Sequence, residues 1–138
     1  MHIDLKKIIF DDSFISNDKI IKEECPIVDG EIFVKGACDI FAYALRSRFD
    51  NYILFKASNK DGPGVHYYCT KNCAFIDAHG VFDTLDELLS KVNSFNFKNF
   101  EIEKINDYIP DFSFEWTQTL LNFANEIITY YDYLYYVE

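Results

Sequence analysis

The chain has 138 residues, 49% of them hydrophobic, and its 23 acidic against 13 basic side chains give a formal charge of −10 at neutral pH. One domain over residues 1–138 with a full apolar core fits these figures, whereas disorder, two comfortable domains or a basic, nucleic-acid-binding surface do not. No apolar run reaches membrane-spanning length and the first residues lack the order of a signal peptide, so the four cysteines read as reduced thiols of a cytoplasmic protein.

Residues 3–10 mix apolar and charged positions and suit either a strand or a short helix. Ser16-Asn17-Asp18 is a helix-start signal for a brief helix over residues 19–24, ahead of Cys25-Pro26. A turn at Asp29-Gly30 leads to a short strand over residues 31–34. The next stretch, Lys35-Gly36-Ala37-Cys38, passes into helical spacing, with Phe41, Ala42, Ala44 and Leu45 apolar and Arg46, Ser47 and Arg48 closing the run. Tyr52-Ile53-Leu54-Phe55 then reads as a buried strand, and residues 59–64 as a loop. Residues 65–70 and 73–78 form a hairpin about Lys71-Asn72. Thr84-Leu85-Asp86-Glu87 has the form of a capping box for a helix running to about Val92. Residues 100–103 alternate like a half-exposed strand. Asp111 or Ser113 caps a final helix with Trp116, Leu120, Phe123, Ile127 and Tyr131 on one face, a stripe that suits core packing. Residues 133–137 suit a last strand.

Chemistry concentrates around Cys38. In the first turn of a helix its sulfur would lie beside unpaired backbone N–H groups and the positive end of the dipole, which favour thiolate, the nucleophilic form. Gly36 and Ala37 carry no bulk to cover it. Free cysteine is also among the most buried residue types, so position alone does not separate a nucleophile from a core residue.

The hairpin adds a base and its partner. Counting outward from Lys71-Asn72 sets His66 opposite Asp77, and directly opposed residues share a face with Cβ atoms about 4.5–5.5 Å apart. Cys38, His66 and Asp77 thus divide into nucleophile, base and orienting acid. A structural His–Asp pair is the alternative for the latter two. His79 shares the face of Asp77 and is a reserve base or substrate contact. The same count puts Cys69 and Cys73 on opposite faces, which argues against a shared zinc, and no metal or cofactor is expected. No phosphate-binding glycine motif is present.

Gly-x-Cys at a helix start, a His in a following strand, and Phe75-Ile76-Asp77-Ala78-His79-Gly80 together resemble the papain-like cysteine peptidase superfamily, nearest its small transglutaminase-like, NlpC/P60-like and phage-borne members. The resemblance covers about residues 35–89. It implies a papain-like core, with Cys38 as nucleophile, His66 as base and Asp77 as orienting acid. The chain departs from the larger peptidases in having no evident glutamine shortly before the cysteine and an acidic Asp39 directly after it.

The expected fold is therefore α+β, a central helix carrying Cys38 on a mainly antiparallel sheet. The expected activity is that of a hydrolase of the thiol protease kind, or an acyltransferase, acting on an amide, peptide or isopeptide bond. The partner would be a protein or peptide-like substrate, with neither nucleic acid nor membrane involved. The alternative is an acidic inhibitor, an immunity protein or an antagonist of a host defence system, that covers a basic surface of a protein partner without catalysis.

Overall fold

A five-stranded antiparallel sheet in the order β4-β3-β2-β1-β5 forms the centre of the molecule: β1 is Ile53–Asn59, β2 Val65–Lys71, β3 Ala74–Asp77, β4 Gly80–Phe82 and β5 Phe100–Lys104. The helices are α1 (Ile32–Lys35), α2 (Cys38–Arg48), α3 (Leu85–Ser90), α4 (Thr117–Tyr130) and α5 (Asp132–Tyr135). The structure, a computed structural model, describes residues 2–11, 27–92 and 96–138. The helix expected over residues 19–24, with Cys25 after it, lies outside the described residues. The α+β expectation, a central helix on an antiparallel sheet, holds.

Strand alternation divides the core between the two faces of the sheet. Leu54, Cys69 and Ile76 face one way, packing with Phe41, Ala44 and Leu45 of α2 and with Phe123, Ala124, Ile127 and Ile128 of α4. Ala57, Tyr68 and Phe82 belong to a second cluster closed by Leu88 and Leu89 of α3. The capping box of α3 forms as its spacing predicts, with the Glu87 N–H donating to Thr84 Oγ1 at 3.2 Å. Cys69 is buried, and its thiol donates to the Ala42 carbonyl at 3.3 Å, tying β2 to α2.

Four local expectations are corrected. Residues 31–34 are not a strand. The Glu31 N–H donates to Asp29 Oδ1 at 2.9 Å, which turns the chain into α1, and a Lys35–Glu31 ion pair at 2.7 Å spans the helix while consecutive Phe33 and Val34 are buried. Residues 133–137 are not a strand either: α5 runs to Tyr135, whose ring is fully buried. Neither Asp111 nor Ser113 caps α4, which begins at Thr117 with Trp116 at the cap position. Asp111 instead accepts from the Ser113 N–H and hydroxyl, and its own carbonyl accepts from Thr117 Oγ1 at 2.8 Å. Residues 3–10, left between strand and helix, form a 3-10 turn over Leu5–Lys7 against Gly30, where a Cβ would meet the Leu5 carbonyl oxygen at 2.9 Å.

The fourth correction moves the hairpin. β2 and β3 pair as Lys71↔Ala74, Thr70↔Phe75 and Cys69↔Ile76, so the turn is Asn72-Cys73 and not Lys71-Asn72. Both turn residues have positive φ, 50° and 67°, the geometry of a type I′ loop that matches the right-handed twist of the strands. Asparagine tolerates that conformation and lysine does not share its advantage, which explains why Asn72 takes the first central position. The Asn72 side chain also donates to the Glu138 carbonyl.

Cys73 is the exposed member of this turn and has no such tolerance. Cys73→Gly is expected to raise stability by on the order of 0.5–1 kcal/mol, read as an upward shift of the urea midpoint at constant m-value. An unchanged or lowered midpoint would show that Cys73 carries no strain.

Candidate functional site

The corrected turn changes who faces whom without separating the pair of interest. Extending the observed register by count sets Tyr68, not His66, across from Asp77. The difference is two positions along β2, and two positions preserve the face. His66 and Asp77 are thus diagonal neighbours on one face, beyond the last β2–β3 pair at Cys69↔Ile76. Their side chains meet there, with His66 Nε2 3.0 Å from Asp77 Oδ2 and only 1% and 2% of the two side chains exposed.

Asp77 is held from a second side. The β3–β4 connection turns through Ala78 and His79 and closes with Gly80 at φ 127°, a conformation that glycine adopts without a Cβ clash. This turn brings the His79 N–H to Asp77 Oδ1 at 2.8 Å, with the His79 ring Nδ1 at 3.3 Å from the same oxygen. The Tyr135 hydroxyl donates to the Ala78 carbonyl at 2.6 Å, so α5 fixes the turn from the core side. The role of His79 is therefore to hold Asp77. The pattern Asp-x-His-Gly contains the signal, since an aspartate commonly accepts from the backbone two residues on.

Cys38 occupies the first position of α2, an 11-residue helix whose N-cap, Ala37, provides no side-chain cap. The first N–H groups of the helix have no intrahelical acceptor. The residue is half-buried, unlike Cys69, which burial pushes up to about 12, and the exposed Cys73. All three are unpaired thiols. The Cys38 side chain lies close enough to His66 to favour the charged ring. The other ring nitrogen, Nδ1, is buried without a hydrogen-bond partner among the described residues. Cys38, His66 and Asp77 are thus brought together.

Electrostatics order the three. Burial disfavours a charged His66, but the hydrogen bond to Asp77 and the nearness of the Asp77 and Cys38 side chains outweigh it and raise the ring from 6.5 to about 9. Burial likewise opposes ionisation of Asp77, and the two histidines overcome it, holding the carboxyl at about 2. At neutral pH the pair is imidazolium and carboxylate.

Sequence reasoning missed the wall beside the cysteine. Asp39, noted only as a departure from the larger peptidases, accepts a hydrogen bond from the Tyr108 hydroxyl. Seven residues on, Arg46 donates to the carbonyls of Asn106 and Tyr108 at 3.2 and 2.6 Å. Two turns of α2 therefore grip the segment after β5. A groove of about 560 Å³ opens between that segment and the start of α2, lined by Ala37 and Asp39 on either side of Cys38 in sequence. No sequence spacing joins residues 39 and 108, and only the fold does.

Among the described residues no group of three or more His, Cys, Asp or Glu side chains is placed to hold a metal ion, and no helix is long and apolar enough to cross a membrane. In comparisons with known proteins, no family model, curated protein or solved structure matches the chain.

The pKa directions make the ion pair testable by folding. His66, raised in the folded state, contributes stability that is full below 6.5 and is lost as pH rises through about 9. Asp77, depressed, contributes stability that is full above 3.8 and is lost as pH falls through about 2. The stability difference between the wild type and the double variant His66→Gln/Asp77→Asn should then be greatest from about pH 4 to 6.5, and about 3 kcal/mol of it should vanish by pH 10. A difference independent of pH in urea titrations would mean that the pair is not charged in the folded protein.

Proposed function

We propose that the protein is a cysteine-dependent hydrolase or acyltransferase acting on an amide, peptide or isopeptide bond, built on a papain-like core. The observation that carries the reading is a single one: His66 is buried, bonded through Nε2 to Asp77, has no partner for Nδ1 among the described residues, and has the Cys38 side chain, at an uncapped helix start, close to its ring. A structural histidine has both nitrogens satisfied or one in water. This one keeps a nitrogen in reserve.

In the proposed cycle Cys38 attacks as the thiolate, its proton residing on His66, and as the sulfur bonds to the substrate carbonyl carbon the C=O π pair moves to oxygen to give a tetrahedral oxyanion. The unpaired N–H groups at the start of α2 supply donors for that oxyanion, in place of the side-chain amide of larger peptidases. As the C–N bond breaks, imidazolium His66 gives its proton to the departing amine. Neutral His66 then takes a proton from water, or from an acceptor amine or hydroxyl, as that nucleophile attacks the thioester and releases Cys38. Asp77 fixes the ring orientation and stabilises the imidazolium without itself taking the proton.

The second reading, an acidic inhibitor covering a basic protein surface, is supported by the net charge of −10. It gives no reason for a charged pair to be buried beside a half-open thiol.

Iodoacetamide separates the two. Near neutral pH, Cys38 should be alkylated at least about tenfold faster than exposed Cys73, with buried Cys69 unreactive in the native protein. His66→Gln keeps an amide donor for Asp77 and should slow labelling of Cys38 alone, as read by peptide mass mapping. Cys38→Ser should abolish acyl transfer at little cost in stability, because the side chain is half-buried. Equal labelling of Cys38 and Cys73, together with full biological effect of Cys38→Ser, would leave the inhibitor reading in its place.

A further inference from the structure

The groove beside Cys38 has a chemical character that the triad does not explain. Three aromatic side chains, Tyr108, Phe114 and Trp116, and three carboxylates, Asp39, Asp111 and Glu115, line it, and among the described residues no basic side chain does. Phe114 is 69% exposed, an unusual placement for a phenylalanine in a chain whose core holds so many others. The carboxylates differ in their engagement. Asp39 is bonded to the Tyr108 hydroxyl, Asp111 to the Ser113 N–H and hydroxyl, while Glu115 has no partner among the described residues. Its neighbours Phe114 and Trp116 flank it in sequence. An aromatic wall with one uncommitted carboxylate and two held ones complements a cation on an apolar stem, since ring faces attract cations and the stem covers apolar surface.

We infer that this groove receives a lysine or arginine side chain of the substrate, next to the carbonyl that Cys38 attacks, so that the acyl substrate is a basic peptide or protein segment. The inference rests on the proposed role of Cys38 and names the substrate class for it. Asp39 takes on a meaning here. A carboxylate directly after the nucleophile in sequence, bonded to Tyr108, lines the groove and sets the sign of the charge admitted there. The groove reads the substrate while the buried His66–Asp77 pair moves the proton.

Trp116 is the only tryptophan in the chain, so its fluorescence reports occupancy of the groove directly. The test titrates full-length Cys38→Ser protein, which cannot turn over, with the blocked tripeptides acetyl-Ala-Lys-Ala-amide and acetyl-Ala-norleucine-Ala-amide in about 0.15 M salt. The lysine peptide should give a saturable change at a concentration about tenfold lower than the norleucine peptide. Glu115→Gln should weaken the lysine peptide about three- to fivefold and leave the norleucine peptide unmoved, whereas Asp86→Asn, which removes the same charge from α3, should change neither. In the wild type the lysine peptide should slow iodoacetamide labelling of Cys38 and not of Cys73. An equal response to both peptides, an equal loss in Asp86→Asn, or absence of protection at Cys38 overturns the inference. Fast, selective labelling of Cys38 with an equal response to the two peptides overturns it while the proposed chemistry stands. Lysine-selective binding that protects a Cys38 labelling no faster than Cys73 upholds the groove's ligand and removes the chemistry.

Discussion

The bond between His66 and Asp77 is the constraint around which the rest is arranged. A carboxylate taken out of water costs several kcal/mol, and so does an imidazolium, so each is tolerable only if the other and further donors meet it. The fold supplies those donors. β2 and β3 bring the two side chains within 3.0 Å, the turn after β3 aims the His79 N–H at the second carboxylate oxygen, and Tyr135 pins that turn through the Ala78 carbonyl. A pair of apolar residues of similar volume would serve stability as well or better. What the ion pair provides instead is a ring of defined orientation, charged near neutral pH, beside a thiol.

α2 carries the complementary half of the arrangement. Its outer ends are used differently from its middle. Phe41, Ala44 and Leu45 hold it to the sheet and to α4, while its first residue, Cys38, is half-buried and left without a side-chain cap. Asp39 and Arg46 lie two turns apart and fasten the segment after β5 along the helix. One rigid element thereby positions the Cys38 sulfur, the unpaired N–H groups of its first turn and one wall of the groove. Sites on a well-packed helix hold their geometry better than sites on loops.

Much of this was legible in the sequence. Cys38 sits in a run whose helical period is clean, and the capping box at Thr84 places the start of α3. The two apolar runs on either side of residue 72 announce a hairpin. These are local signals, set by periodicity and by hydrogen bonds between residues a few positions apart. The pairing of His66 with Asp77 survived an error in the turn because alternation has a period of two, so a shift of two positions along β2 returns a side chain to the same face.

Other features were decided only by tertiary structure. Residues 31–34 and 133–137 have strand-like composition, yet Ile32–Lys35 and Asp132–Tyr135 are helical, since burying Phe33, Val34 and Tyr135 in the core outweighs a propensity that is itself a matter of packing. The turn sits at Asn72-Cys73 because strand twist demands two residues of positive φ and Asn72 meets that demand first. The meeting of Asp39 with Tyr108, and the groove it helps to form, joins residues far apart in the chain through packing alone. By itself the sequence determined the α+β class, the helix of Cys38, and the common face of His66 and Asp77, all consequences of short-range period. The depth at which the pair is buried, the second grip on Asp77 and the groove beside the thiol depend on which surfaces exclude water together, and that is a property of the assembled layers.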